Sequence, residues 1–408
     1  MRIWVFNHYA DKPGGSYLRH FDLAAQWVRK GHDVYIFSSG FSHNRFKYET
    51  NFGSILNFVK KERHEGVVFY LIKTVSYHAN NWRRAANMFS YFIITTCYAL
   101  FVTPRPHIII GSSVHPLAVL AAWIVARCRR AKFVFEVRDI WPETLIDMGA
   151  LKEHAFLTKF LRWGERYMYR KADKIVVLLP FAVQYLEELG IPRHKVVWIP
   201  NGTHLDRYRH LKPAPLNVHG PFQLFYLGAF GAINGLDTLI QGMKILNEKY
   251  PQTFFLNFYG SGPEKSRLEK LVQDLRLDTV SFHAPVPKDQ LFQIMEKADA
   301  FVFILKDLPL FKFGISPNKL NDYLSSKRPV IFLCNSRNNI VKEAEAGVYR
   351  EEISPESFAH AVEELFFKKT AEERHTMGEN GFQFIQKNYE IRTLAEKMLG
   401  ELNGLIKS

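Results

Sequence analysis

Short runs rich in β-branched and aromatic residues alternate with amphipathic stretches along nearly the whole chain. The first half offers "RIWVF" (2–6), "DVYIFS" (33–38), "VVFYLI" (67–72), "HIIIGS" (107–112), "KFVFEV" (132–137), "KIVVLL" (174–179) and "KVVWIP" (195–200). After a polar, proline-containing stretch, Asn201 to Pro221, a second series begins: "FQLFYLG" (222–228), "FFLNFYG" (254–260), "TVSFH" (279–283), "AFVFIL" (300–305) and "PVIFLC" (329–334). Strand-length runs separated by helical patterns read as βα units and parallel sheets. Two such series predict an α/β chain of two doubly wound, Rossmann-like domains facing each other across a cleft.

Length agrees, since 408 residues exceed one ordinary core at roughly 100–200 residues per domain. The expected organisation is a first Rossmann-like domain over 1–200, a linker over 201–221, a second over 222–385, and a C-terminal helix over 386–408 that packs back on the first. A hydrophobic content of 47% without low-complexity tracts excludes a disordered chain.

The net charge of +14 and pI near 9.5 call for an anionic partner: nucleic acid, acidic lipid or a phosphorylated substrate. No basic recognition helix, zinc-finger spacing or RNP-type strand is present, which argues against nucleic acid. Cys97, Cys128 and Cys334 are scattered and odd in number, so neither a disulfide framework nor a Cys-x-x-Cys site is expected, and a cytoplasmic compartment fits. The opening "MRIWVFNHYADK" has too short an apolar run for a signal peptide. Ala85 to Thr103 is 19 residues without a charge, at the lower edge of a membrane span, yet Asn87, Ser90, Thr95, Thr96 and Thr103 favour a buried or interface-lying helix. Trp82, Arg83 and Arg84 before it would suit an anionic membrane surface; a core helix covering a sheet would use the same apolar residues.

Ligands of open α/β sheets bind beyond the carboxyl ends of the strands, so residues just after strands are the candidates. After the first strand, Gly14 and Gly15 precede a helix expected from about Tyr17. They permit close backbone approach to an anion at the helix start, and a tight turn would need the same glycines. "FEVRDIWPETLIDMG" leaves its strand with Arg138 and Asp139, then Trp141 and Glu143. Two carboxylates, a cation and an indole at one strand exit make Asp139, Arg138 and Glu143 the candidate catalytic group. Structural alternatives are Asp139 as a helix cap and Glu143 paired with Arg138.

In the second half "YLGAFGAINGLDTLI" places Gly228 and Gly231, and "YGSGPEKSRLEKL" Gly260 and Gly262 ahead of Glu264, in loops able to admit a phosphate or a base edge. Neither has Walker form, and Gly-x2-Gly-x3-Gly is not the dinucleotide fingerprint, so a P-loop NTPase and hydride chemistry lose their motifs. Asp-x-Asp and His-Glu-x-x-His are absent, so a metal-centred mechanism has no ligand cluster in sequence, though ligands distant along the chain could still converge. His8, His20, His115 and His204 fall in or beside loops at strand ends and read as loop or packing histidines. In "ISPNKLNDYLSSKRPVI" (315–331) Ser316 can cap a helix whose first turn holds Pro317. The N–H groups of Asn318 and Lys319 then point along the positive end of the dipole. A diphosphate fits there, with Lys319 adding a full charge and Asp322 in reach of ribose hydroxyls. The alternative is an N-capped helix with a Lys–Asp surface pair.

Taken in order, "PGGSYLRHFDLA", "RKGHDVYIFSS", "FEVRDIWPE", "IPNG", "YLGAFGAINGLDTLI", "YGSGPEK" and "SPNKLNDYLSSKRPVI" resemble the GT-B glycosyltransferases of family 4. Within them the likeness is to the branch similar to N-acetyl-L-fucosaminyltransferases of O-antigen and capsule assembly. The resemblance implies retaining transfer, without a metal, from a nucleotide-sugar donor held by the C-terminal domain to an acceptor held by the N-terminal one. A UDP-activated N-acetylamino sugar, a polyprenyl-diphosphate-linked saccharide acceptor and a peripheral place on the inner face of the cytoplasmic membrane go with that branch. Two departures stand out. The family's Glu-x7-Glu pattern falls on Gly314 and Asp322, and the Arg and Lys of its first C-domain loop fall on Ala229 and Asn234. Diphosphate charge must then be met elsewhere, with Lys319 the nearest candidate. A UDP-N-acetylglucosamine 2-epimerase-like GT-B enzyme and a non-catalytic membrane-associated scaffold share the two-sheet pattern and remain open at this point.

Overall fold

The apolar runs form the strands of two large sheets. The computed structural model describes residues 1–407 apart from 16–17, 44, 55, 79–80, 114, 148, 150, 213–219 and 287–289. Tyr17 and part of the expected 201–221 linker therefore lie outside the described residues. Backbone contacts divide the chain into two units, Met1–Asn201 with Ile391–Ser408, and Gly202–Glu390.

The strands of the first unit are β1 (Arg2–Phe6), β2 (Asp33–Ser39), the short pair β3 (Phe41–Ser42) and β4 (Lys47–Tyr48), β5 (Val59–His64), β6 (Val67–Ile72), β7 (Ile108–Ser112), β8 (Lys132–Val137), β9 (Lys174–Val177) and β10 (Val196–Trp198). Its helices up to the unit boundary are α1 (Arg19–Arg29), α2 (Trp82–Ala99), α3 (Pro116–Cys128), α4 (Glu143–Asp147), α5 (Phe156–Lys171) and α6 (Ala182–Glu188). The sheet runs β10-β9-β8-β7-β1-β2-β6-β5, parallel except for β5, which pairs antiparallel with β6. Strand β5, "VKKERH", carries no apolar run to announce it, because it is a charged edge strand, the kind that discourages further pairing.

The second unit contributes β11 (Phe222–Leu227), β12 (Phe254–Tyr259), β13 (Val280–His283), β14 (Ala300–Ile304), β15 (Val330–Leu333) and β16 (Gly347–Arg350). Its helices are α7 (Leu236–Lys249), α8 (Lys265–Asp274), α9 (Leu291–Met295), α10 (Asn318–Ser325), α11 (Ile340–Glu343), α12 (Pro355–Glu363) and α13 (Ala371–Asn388), after which α14 (Ile391–Lys407) returns to the first unit. The order β13-β12-β11-β14-β15-β16 is parallel throughout. Pro329 stays outside β15, lacking the N–H that a ladder position needs.

Side-chain alternation sorts each sheet into two faces. In the first unit Ile3, Val5, Val34, Ile36, Phe69 and Ile110 share one core with α1 and α14. Trp27 on α1 donates its indole N–H to the Ala395 carbonyl of α14 at 3.0 Å. The alternate residue Ile72 packs instead with Tyr91 of α2 and Ala118 of α3, so those helices cover the opposite face. Strand order reverses between β1 and β7 in the first sheet and between β11 and β14 in the second. At such a switch point neighbouring crossovers leave in opposite directions and open a crevice beyond the carboxyl ends, which is where the functional side chains should gather.

Candidate functional site

At the first switch point two loop histidines meet. His8, just after β1, and His115, at the start of α3, share a hydrogen bond of 2.6 Å between Nδ1 and Nε2. Burial pushes both below the usual histidine range, His115 to about 3, so both stay neutral at pH 7. Beside them Glu136, the one carboxylate of β8, is fully buried and matched from two sides. Arg19 Nε donates to its Oε1 at 2.8 Å, and His20 Nε2 donates to its Oε2. Arg19 also donates to the carbonyls of Pro200 and Ile199, tying α1 to the exit of β10. Burial alone would raise the Glu136 carboxyl; His20 and Arg19 overcome that and hold it well below the usual carboxylate range. Burial lowers His20, so it serves as a neutral donor here while its Nδ1 accepts from Asn7 Nδ2 at 2.7 Å.

The loop of Gly14 and Gly15 helps to line a cavity of about 300 Å³ with His8, Tyr9, Lys12 and His43. Gly14 takes a left-handed φ of 87°, and a Cβ on Gly15 would fall 2.2 Å from that of Asp11. Helix α1 begins at Arg19, and its N-cap Leu18 has no side-chain bond. Arg138 and Asp139 follow β8 directly, and neither side chain makes a hydrogen bond or ion pair with a described residue. Asp139 opens to solvent, yet the dense protein around it raises its carboxyl against the pull of Arg138. Glu143 is placed differently from its expected role. Arg162 of α5 donates Nε and Nη2 to its two oxygens at 2.7 and 2.9 Å, a bidentate pair that engages the carboxylate as an anchor between α4 and α5.

In the second unit the loop after β11 meets the start of α10. Lys319 is half-buried, and its Nζ donates to Asn234 Oδ1 at 2.6 Å and to Tyr226 Oη at 3.0 Å. The ammonium also stands 4.8 and 5.0 Å from the ring centres of Tyr226 and Phe303. No described carboxylate pairs with it, and burial lowers its pKa to about 7. Asn234 is where the resemblance described above leads one to expect a lysine, and Lys319 of α10 brings its Nζ to that side chain. Tyr323 of α10 fixes this arrangement, its hydroxyl donating to Leu227 O and accepting from Leu227 N, each at 2.8 Å.

Several expected contacts are corrected. The N-cap of α10 is Pro317 without a side-chain bond, so Ser316 does not cap the helix, and Asn318 is its first, exposed residue. Asp322 does not pair with Lys319; its Oδ1 accepts from Tyr208 Oη at 2.7 Å. Gly260 and Gly262 make room for the neighbouring loop. A Cβ on Gly260 would lie 1.9 Å from Gly228 O and one on Gly262 2.4 Å from Phe230 O, because the two loops bond backbone to backbone through Phe230 N to Ser261 O. A Cβ added to Gly228 would meet Tyr226 Oη at 3.3 Å and Lys319 Cδ at 3.4 Å, and Gly231 opens the turn that ends at Asn234. Glu264 stands at the N-cap position of α8 without a side-chain cap bond, and its carboxylate accepts instead from Arg267 Nε at 2.7 Å.

The sequence reading missed Arg19, Glu136, Tyr208 and Tyr226. For Glu136 a signal existed: a carboxylate inside an otherwise apolar strand of a buried sheet requires a partner. The others act through contacts made across the fold.

Residues 14–202 match the family model of the glycosyl transferase 4-like domain, and residues 221–367 that of glycosyl transferases group 1. WcaI of Escherichia coli strain K12, provisionally named a colanic acid biosynthesis glycosyl transferase, is 21% identical over 300 residues, 70% of each chain. Among solved structures, sucrose-phosphate synthase from Thermosynechococcus elongatus superposes with a TM-score of 0.74 at 17% identity, over 100% of this chain and 99% of that one. Anabaena HepE, solved in complex with UDP-glucose, gives a TM-score of 0.69 at 14% identity, over 99% of this chain and 100% of that one. Both matched domains are glycosyl transferase domains, and neither the epimerase nor the scaffold reading gains support. The chain is a GT-B glycosyltransferase of the family 4 type, a glycosyl transferase 4-like domain followed by a group 1 domain.

Proposed function

We propose that the protein is a retaining transferase that moves an N-acetylamino sugar from a UDP-activated donor to a polyprenyl-diphosphate-linked saccharide in surface polysaccharide synthesis. The observation that carries this reading is Lys319, a cation at a helix start, beside a glycine loop, with no carboxylate partner among the described residues. A diphosphate leaving group would supply the missing negative charge, and charge stabilisation of a leaving group is what the reaction needs most. Support for the donor class comes from HepE, whose structure holds UDP-glucose, and for polysaccharide synthesis from the name of WcaI. The sugar class follows the resemblance to N-acetyl-L-fucosaminyltransferases of O-antigen and capsule assembly. Tyr208 and Asp322 are the proposed ribose contacts. In the first unit the cavity lined by Gly14, Gly15 and His43 is the proposed acceptor site, with Arg138 and Asp139 reaching hydroxyls of sugar or acceptor. The protein would work on the cytoplasmic side, peripheral to the membrane that holds the acceptor.

The test is mass spectrometry of products from UDP-N-acetylamino sugars with and without lipid-diphosphate acceptor, and NMR of the new anomeric centre. Transfer with retention supports the reading; donor isomerisation without acceptor would instead favour a 2-epimerase. Asp139→Asn should lower turnover by about 10²–10⁴-fold, the scale of a lost acid–base group, with UDP affinity near normal. Unchanged turnover removes Asp139 from the mechanism.

A further inference from the structure

Helices α2, α3 and α5 lie side by side on one face of the first sheet. Helix α3 packs against both of the others, through Trp123 on Tyr167 at 5.8 Å in the case of α5. Their outward surfaces are unusually apolar. On α2 Trp82, Phe89 and Ile93 face solvent, as does Phe101 in the turn just after the helix, with Trp82 74% and Phe101 83% exposed. On α5 Phe156 is 86% and Trp163 62% exposed, and Phe160 and Tyr167 stack on either side of the Trp163 ring at 6.0 and 5.7 Å. The same three helices carry eight Lys or Arg against one carboxylate, Glu165, whose Oε1 accepts from Tyr169. Between the cations of α5 a groove of about 460 Å³ is lined by Lys159, Arg162, Trp163, Arg166, Tyr167 and Arg170.

Exposed aromatic side chains interleaved with cations need a partner that is apolar inside and anionic at its surface. We infer that α2, α3 and α5 form a docking face for an anionic lipid bilayer, with Phe156, Phe160 and Trp163 entering the headgroup boundary and Lys159, Arg166, Arg170 and Lys171 meeting lipid phosphates. A second copy of the chain fits less well, because two such faces would bring like charges together. The sequence pointed only to residues 82–103; α5 extends that segment into a surface several helices wide. The inference deepens the lipid-linked acceptor reading above and rests on it for its purpose.

Co-sedimentation of the full chain with vesicles of phosphatidylglycerol and phosphatidylethanolamine tests it, with phosphatidylcholine vesicles as the neutral control. Binding should be at least tenfold tighter on the anionic vesicles, fall on raising salt from 0.1 to about 0.5 M as the screening length shortens, and blue-shift tryptophan emission. The triple substitution Phe156→Ser, Phe160→Ser, Trp163→Ser and the pair Arg166→Glu, Arg170→Glu should each weaken binding at least tenfold while leaving UDP affinity and the melting temperature unchanged. Failure to bind anionic vesicles, or full binding by both variants, overturns the docking face. So would concentration-dependent dimerisation that the triple variant abolishes, which gives the face to a second copy. Transfer to a short, water-soluble acceptor is measured in parallel. Transfer without vesicle binding sinks the docking face and leaves the transferase reading standing, and vesicle binding without transfer does the reverse.

Discussion

Glu136 and Lys319 are both withdrawn from water near the carboxyl ends of parallel strands, one in each unit, and the protein treats them in opposite ways. Glu136 is fully buried and answered on both oxygens by Arg19 and His20. Lys319 is half-buried and, among the described residues, is answered by neutral dipoles and ring faces, from Asn234, Tyr226 and Phe303. A charge satisfied inside the fold is there to hold the fold. One left with neutral neighbours is costly unless a ligand completes it.

That contrast can be broken most forcefully at Glu136. Glu136→Ala leaves Arg19 buried without its carboxylate and should cost about 3–5 kcal/mol in urea unfolding, the usual penalty for removing one partner of a buried pair. The Glu136 carboxyl is held below its unfolded value, so its stabilisation is present above the unfolded pKa of about 4.5 and is lost as the pH falls through the lower folded value. Glu136→Gln should lack that acid limb. A loss below 1 kcal/mol would show that the cluster is not structural.

Lys319→Met should behave in the opposite sense. Folding stability holds or rises slightly, while UDP affinity falls by about 1.5–3 kcal/mol, the scale of a charged hydrogen bond. Calorimetric titration with UDP and uridine separates the two effects, because uridine lacks the diphosphate and should bind both proteins alike. Normal UDP affinity in Lys319→Met would take the diphosphate away from this lysine.

Acidity sharpens the comparison further. Burial holds Lys319 at about 7, so above that pH the ligand-free protein carries it mainly neutral. A diphosphate restores the charge, so binding takes up a proton. UDP affinity should therefore fall as the pH rises above 7, by up to about tenfold per unit (1.36 kcal/mol), and level off below 7 where both states are protonated. Calorimetry at pH 8 in buffers of different ionisation heat counts the proton directly, and Lys319→Met should show none. The smallest expected effect belongs to Asp322→Asn, which keeps an acceptor for Tyr208 and should weaken uridine and UDP equally, by about 0.5–1.5 kcal/mol. A larger loss for UDP than for uridine would move Asp322 from the ribose to the diphosphate.

Periodicity made the two sheets legible, since buried parallel strands announce themselves as apolar runs. It failed at β5, whose charges belong to an edge, and at β16, "GVYR", which is too short to stand out. Lys319 was visible because Pro317 and Asn318 mark a helix start, but Tyr226 and Asn234 lie 93 and 85 residues away, and nothing local foretells that they flank its ammonium. The glycines are ambiguous for a related reason. Gly260 and Gly262 look the same in sequence whether a ligand or another loop occupies the space beside them, and here the loop of Gly228 and Phe230 does. Helix α5 was passed over because an amphipathic pattern does not say which face is covered. Thr158, Met168 and Tyr169 turn inward, and Phe156, Phe160 and Trp163 are left outside.

The path of α14 bears on how the protein is made. Ile391, Leu394, Met398 and Leu402 complete the core that begins at Ile3 and Val5, and Ala395 accepts the indole proton of Trp27. During synthesis the first unit therefore waits, with the apolar side of α1 uncovered, until the entire second unit has emerged from the ribosome. Domains usually fold in order from the amino end. Here the first to be translated is the last to be finished, and the nascent chain is most open to aggregation or chaperone capture through that interval.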